Sequence, residues 1–494
     1  MRRRSFLPFI VAMAIVVSGC SASSNEDDSA PVAAQSEAQA RAPIEAPPND
    51  MYFKDYGSNA FVSAEDDRQS TFAVDVDTGA YAIARSYVED GSFPPREAVR
   101  TEEFINYFDP GYEPPREDTF AIHVDAGASP IEDDDYSIVR IGIKGKEVDS
   151  EQRKPVNLTF VIDVSGSMDK DNRIDLVKDS LELLIGQLRD DDTIGIVVYG
   201  TTAHKVLDPT SVEQRDAILD AIESIEIENT TNVEEGLLLG YKMANETFEP
   251  EKINRVILCS DGVANVGRTG PEDILEQIER YSEQDIYLST FGYGMGNYND
   301  VLMEQLADKG NGVYAYIDDM GEAKKVFKEK LTGNLQTIAK DAKIQVEFDP
   351  GKVESYRLLG YENRAVSDED FRNNRVDGGE VGAGHSVTAL YQVRLKNKAA
   401  GQLGKVTIRY KNVDDRAEIR EMSEEIRLSG ELSDNTKFLV AVAKFAELIR
   451  EGEGASAPAL EEIRMLAKGN AEGKEQKEFV KLIDRAIDLG KETE

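Results

Sequence analysis

The chain has 494 residues, 40% hydrophobic and 31% charged, which is material for about three globular domains at roughly 150 residues each. Its 94 Asp and Glu against 57 Lys and Arg leave a formal charge of −37, and no basic stripe offsets phosphate repulsion, so nucleic acid is excluded as a partner. Two cysteines and three histidines, with no HExxH, exclude a disulfide-stapled scaffold and a zinc hydrolase.

Residues 1–19, MRRRSFLPFIVAMAIVVSG, place three arginines before a short apolar run and small residues, the layout of a secretory signal rather than a spanning helix. The junction VSGC resembles the lipobox of bacterial lipoproteins. That resemblance implies cleavage before Cys20, lipidation of its thiol, and a place in the cell envelope, anchored to a bacterial membrane and most simply the outer one. Residues 20–60 are small, polar and Pro-rich, and are expected to form a disordered tether.

Residues 61–155 read as a strand near TFAVDVD, a helix around Ala80 to Asp90, a Pro-Pro break and a second helix from about Glu97. Two alternating segments, TFAIHVDAGASPI and YSIVRIGIKGKEV, follow as an antiparallel pair. The DVDTG run at Asp75 to Gly79 lacks the third acidic position, the following glycine and the terminal glutamate of a calcium loop, and is not read as a metal site.

From 156 to 336 strands alternate with helical segments: NLTFVIDVS, then RIDLVKDSLELLIGQL with Ile174, Val177, Leu181, Leu184 and Leu188 at helical spacing, and so on to GVYAYI and EAKKVFKEKLTGNL. This predicts a doubly wound α/β domain with a largely parallel sheet. Residues 337–432 are strand-like and suggest a sandwich. Neither they nor the pair at 119–148 supply enough strands alone, so the two sets are expected to pair into one discontinuous domain. Residues 433–494 return to helical periodicity, with Phe438, Val442, Phe445, Leu448 and Ile449 on one face.

The chemistry collects where strands stop. Asp163, Ser165 and Ser167 follow one predicted strand, Thr231 lies in a strand-to-helix connection, and Asp261 follows the strand RVILCSDG. In an open α/β sheet these loops share the carboxyl edge, where ligands bind. Two carboxylates and three hydroxyls are hard oxygen donors suited to Mg²⁺. In order and spacing, DVSGSM, TTNVEEGL and SDG resemble the metal-ion-dependent adhesion site of von Willebrand factor type A domains, with ENT before Thr231 where relatives often have glycines. The resemblance implies that Asp163, Ser165, Ser167, Thr231 and Asp261 hold one Mg²⁺ or Mn²⁺, and that a protein partner presents a carboxylate to the ion. Further segments, among them PPREAVRTEEFINYF and GYGMGNYNDVLMEQLADKGNGVYAYID, resemble the bacterial YfbK-like lipoproteins that carry such a domain.

Two other classes compete with a binding module. A metal-dependent hydrolase or phosphoryl-transfer enzyme on the same acidic cluster needs an acid-base or nucleophilic group the motif does not offer, and there is no G-x-S-x-G or P-loop. An ion-channel-associated role lacks a long apolar span after Cys20. The reading is therefore a non-enzymatic binding protein.

Overall fold

The run that opens the α/β segment is apolar throughout because both its faces are covered. In the computed structural model it forms the strand Val156–Asp163, every residue of which is buried. The structure describes residues 51–131, 135–228, 231–262, 271–296, 298–397, 401–413, 418–428, 430–452 and 456–493. The signal segment, Cys20 and the tether up to residue 50 lie outside the described residues.

Val156–Asp163 sits inside a six-stranded sheet. It pairs in parallel with Thr193–Tyr199 on one side and Ile253–Ser260 on the other, and Ile286–Tyr293 and Tyr314–Ile317 continue the parallel set. The far edge, Ala203–Ser211, is antiparallel. Its sequence AHKVLDPTS has no alternation and carries Pro209, as edge strands tolerate. Side chains alternate across the sheet, so two cores form. Leu158, Phe160 and Ile162 pack with Ile174, Val177, Leu181 and Leu184 of the helix Arg173–Ile185. Val161 packs on the other face with Leu237 and Tyr241 of the helix Val233–Glu246. Gly240 of that helix has no room for a side chain, since a Cβ there would stand 2.3 Å from Val161 Cγ2. The parallel sheet with helices on both faces is the expected doubly wound domain.

Strands from both sides of this segment share two five-stranded sheets. In one, Ser386–Leu395 pairs antiparallel with Ser137–Gly145, which pairs with Phe120–Ala128. In the other, Thr337–Phe348 takes Gln402–Asn412 on one side and Gln69–Ala73 on the other. Their inner faces meet in a core that includes Phe120, Ile141, Ile344, Tyr391 and Ile408. The C-terminal helices Asp434–Arg450, Ala457–Asn470 and Lys474–Thr493 form a fourth core with the helix Gly79–Glu89. Its aromatic centre stacks Tyr81 on Tyr107 at 4.0 Å and sets Phe445 edge-on to Phe479 at 5.2 Å.

Three local expectations are corrected. The tether does not run to residue 60: Tyr52 N–H donates to the Tyr298 carbonyl, and the Asn59 amide donates to the carbonyls of Leu358 and Gly360. The helix expected from Glu97 is a 3₁₀ turn, Arg96–Ala98, then two extended residues and the helix Thr101–Tyr107. The extended step turns the Arg100 guanidinium inward, where Nη2 donates to Asp300 Oδ1 at 3.1 Å and Nε to Glu103. The last helix of the α/β domain is broken, with Met320–Lys324 and Leu331–Leu335 separated by a π-helical turn at Lys325–Glu329.

The DVDTG run has a structural reason. Arg364 Nε donates to Asp75 at 2.9 Å, and Asp77 accepts the Tyr314 N–H at 2.9 Å. Arg364 also pairs with Glu304 at 3.5 Å. Asp77 ties the N-terminal segment to the α/β domain directly, and Asp75 does so through the half-buried Arg364 guanidinium, which also reaches Glu304.

Candidate functional site

Asp163 is the last residue of its strand, and the chain leaves the sheet there through Val164 and Ser165. Asp163 and Asp261 are 0% exposed and Ser165 is 2% exposed, while Ser167 is half-buried. Asp163 Oδ1 accepts the Ser165 N–H at 2.9 Å, the local turn that Asp favours at a chain reversal. Its Oδ2 accepts two hydroxyls, Ser260 at 2.9 Å and Tyr199 at 3.1 Å. The Ser165 and Ser167 hydroxyls lie 3.0 Å apart. Burial, and after it the neighbouring Asp261 carboxylate, raises the pKa of Asp163.

The structure thus brings Asp163, Ser165, Ser167 and Asp261 to one carboxyl edge. Thr231 is half-buried and, contrary to the strand-to-helix connection expected, lies between the helices Arg215–Glu223 and Val233–Glu246, one residue before Asn232, whose side chain caps the second helix by accepting the Glu235 N–H. The loop leading to it is tied to the site, because Glu228 N–H donates to the Val164 carbonyl at 2.6 Å. The Asn229–Thr230 part of the ENT departure lies outside the described residues. Cys259 in the adjoining strand is fully buried and its thiol is pushed up to about 12 by burial, as befits a packed core residue.

Sequence reasoning missed Arg173. Asp171 and Asn172 both adopt left-handed backbone, at φ 53° and 56°, a conformation these two residue types tolerate best among those with side chains. Arg173 then starts the helix, and its guanidinium runs back beneath the loop. Nη1 donates to Asp261 Oδ2 at 3.0 Å and to the Ser167 carbonyl at 3.3 Å, and Nη2 donates to the Met295 carbonyl. One 4% exposed cation therefore joins three loops of the edge. The signal was a cation in the first turn of a helix, where the helix dipole disfavours it. Tyr199 was also missed, because at the end of IVVY it reads as core.

The donors fit a hard divalent cation. They are oxygens only, two are carboxylates, of which Asp261 helps burial raise the proton affinity of Asp163, and the single guanidinium offsets only part of their charge. Among the described residues no group of three or more His, Cys, Asp or Glu is placed to hold a metal ion, and a shell here would have to draw on the serine and threonine hydroxyls.

With this geometry in place, residues 157–329 match the family described as von Willebrand factor type A domain, residues 333–489 the one described as uncharacterized protein YfbK, C-terminal, and residues 47–140 the one described as von Willebrand factor. The chain is 37% identical over 371 residues to the uncharacterized protein YfbK of Escherichia coli K12. This is a YfbK-like protein with a type A domain. The match covers 74% of this chain and 64% of the Escherichia coli protein, so the chain spans less than two thirds of that relative's length. Inter-alpha-trypsin inhibitor heavy chain H3 of Mesocricetus auratus is 26% identical over 270 residues, covering 50% of this chain and 29% of that protein. Among solved structures, von Willebrand factor type A from Catenulispora acidiphila aligns with 76% of this chain and 91% of its own, at 16% identity and a TM-score of 0.45.

Proposed function

We propose that this YfbK-like chain is a lipid-anchored envelope protein whose type A domain captures a protein partner through a divalent cation, Mg²⁺ or Mn²⁺. The observation that carries the reading is the convergence of two fully buried carboxylates and two hydroxyls 3.0 Å apart at the carboxyl edge of the sheet. Asp163, Ser165, Ser167, Thr231 and Asp261 would hold the ion, which when bound leaves a coordination position for a carboxylate of the partner. Asp163 acts as a held ligand, since Ser165, Ser260 and Tyr199 already fix its oxygens. A carboxylate so fixed is poorly placed to shuttle protons, which favours binding over hydrolysis or phosphoryl transfer.

Metal that binds only the folded state should raise stability by ~2.7 kcal/mol at a hundredfold excess over its dissociation constant. Differential scanning fluorimetry across a Mg²⁺ titration should show this shift in the wild type and none in Asp163→Ala. An equal response in the two proteins would remove Asp163 from the ligand set.

Anchoring is tested separately. Among the described residues no helix is long and apolar enough to cross a membrane. Two or more acyl chains hold a protein firmly on a bilayer. Cys20→Ser should therefore move the protein from the membrane to the soluble fraction or leave its signal uncleaved. Normal processing with unchanged membrane retention would reject the lipid anchor.

A further inference from the structure

A cavity of about 390 Å³ lies away from the acidic edge, between the last helical segment of the type A domain and the sandwich. That volume is within the range of small-molecule sites. Lys330 and Gly333 line it from the type A side, and Lys144, Gly384 and His385 from the sandwich side. Two features of the lining lack counterparts. Both ring nitrogens of His385 are buried with no hydrogen-bond partner among the described residues, although a buried imidazole N–H or lone pair left unmatched costs about 1–3 kcal/mol. Lys330 is half-buried and forms no ion pair with a carboxylate among the described residues.

The other cations of the wall are accounted for differently. Lys325 is engaged, with its amine donating to the Tyr107 carbonyl at 2.7 Å and pairing with Glu475 at 3.1 Å. The amine of Lys144 donates to the Gly384 carbonyl at 2.7 Å, and Glu147, largely exposed, stands at 3.7 Å. Four carboxylates, Asp109, Glu147, Glu322 and Glu329, also line the cavity, and Glu322 is tied to Arg85 and the Tyr107 hydroxyl. At His385 itself burial and then the cations Lys330, Lys144 and Arg255 push the pKa down to about 3, so the ring is neutral and keeps one N–H to donate. Burial and Lys325 push the Lys330 amine down to about 8. A neutral donor and two ammonium groups facing one space, one of them without a carboxylate, form a receptor for an oxyanion.

We propose that this cavity binds a small molecule bearing a phosphate or carboxylate group, held by Lys330, Lys144 and the His385 N–H. Because Lys330 belongs to the type A domain and the other two to the sandwich, the bound anion joins the two. The inference stands on the cavity alone and is independent of the metal reading.

The test uses the whole chain with inorganic phosphate and citrate as probes, each titrated at constant ionic strength against sodium chloride and followed by melting temperature and calorimetry. At least one probe is expected to raise the melting temperature beyond the chloride control. A response to phosphate alone assigns a phosphate ligand, and one to citrate alone a carboxylate. Lys330→Gln and His385→Gln should each weaken that probe at least tenfold, while Lys328→Gln, an exposed position on the same segment, leaves it unchanged. Without probe, Lys330→Gln should melt no lower than the wild type, since burial penalises a charge that no carboxylate among the described residues pairs directly, although Glu322, Glu475 and Asp109 act on it from a distance. Neither probe exceeding chloride, or equal affinity in wild type and Lys330→Gln, would overturn the proposal.

Discussion

Arg100→Met is expected to remove about 3–5 kcal/mol of folding stability at pH 8, and clearly less at pH 6. The size follows from what the substitution leaves behind. Arg100 is 5% exposed and pairs with Asp300 and Glu103, both 0% exposed, and breaking a buried pair by deleting one partner strands a charge in a low-dielectric site. The pH dependence follows from the raised acids around it. Burial, with Glu362 and Glu103 nearby, lifts Glu102 to about 8, and burial likewise raises Glu103 although Arg100 opposes the rise. A carboxyl whose folded pKa exceeds its unfolded value contributes stability that is complete below the unfolded value, near 4.5, and is lost as pH rises through the folded one. The wild type should therefore grow more stable from pH 8 to pH 6, and the variant should gain more, because Glu103 without Arg100 takes its proton at a higher pH. Urea unfolding of both proteins at the two pH values is the measurement. A deficit that is the same at both, or below ~1 kcal/mol, would show that these acids do not share the guanidinium charge as the geometry indicates.

What could be read in advance depended on how far each element is determined by its own residues. Val156–Asp163 and Ile253–Ser260 were legible because burial on both faces leaves no polar position, and Arg173–Ile185 because Ile174, Val177, Leu181 and Leu184 sit on one helical face. The edge strand Ala203–Ser211 was not, since only one of its sides is paired and its polar side chains face water. Nor was Ile419–Arg427, whose IREMSEEIR is charged along most of its length and forms the outer strand of its sheet. The breaks in the second and last helices were invisible for another reason. The extended residues at Val99 and Arg100 exist to deliver a guanidinium to Asp300, some two hundred positions away, and no local pattern records that.

The candidate site divides along the same line. Asp163, Ser165 and Ser167 are close in sequence and Asp261 ends a neighbouring parallel strand, so topology alone puts them together. Arg173 and Tyr199 act on the carboxylates from outside the motif and Ser260 from within SDG, and their roles appear only when side chains can be followed across loops.

Arg173→Met should destabilise the metal-free protein by about 3–5 kcal/mol, because Asp261 is 0% exposed and would lose a buried guanidinium partner. If the proposed cation sits among Asp163, Asp261 and the hydroxyls, its charge substitutes for that guanidinium, so Mg²⁺ should restore more stability to the variant than it adds to the wild type. Arg173→Lys separates charge from geometry. It keeps a cation near Asp261 but loses the fork that also reaches the carbonyls of Ser167 and Met295, and should fall between the two. Thermal melts of the three proteins, with chelator and then with saturating Mg²⁺, distinguish the cases. A large loss with no extra Mg²⁺ rescue would make Arg173 a purely structural tie between loops and separate it from the metal. A loss below ~1 kcal/mol would mean that Asp261 does not depend on Arg173 for its charge balance, leaving the carboxylate pair to be neutralised by the ion alone.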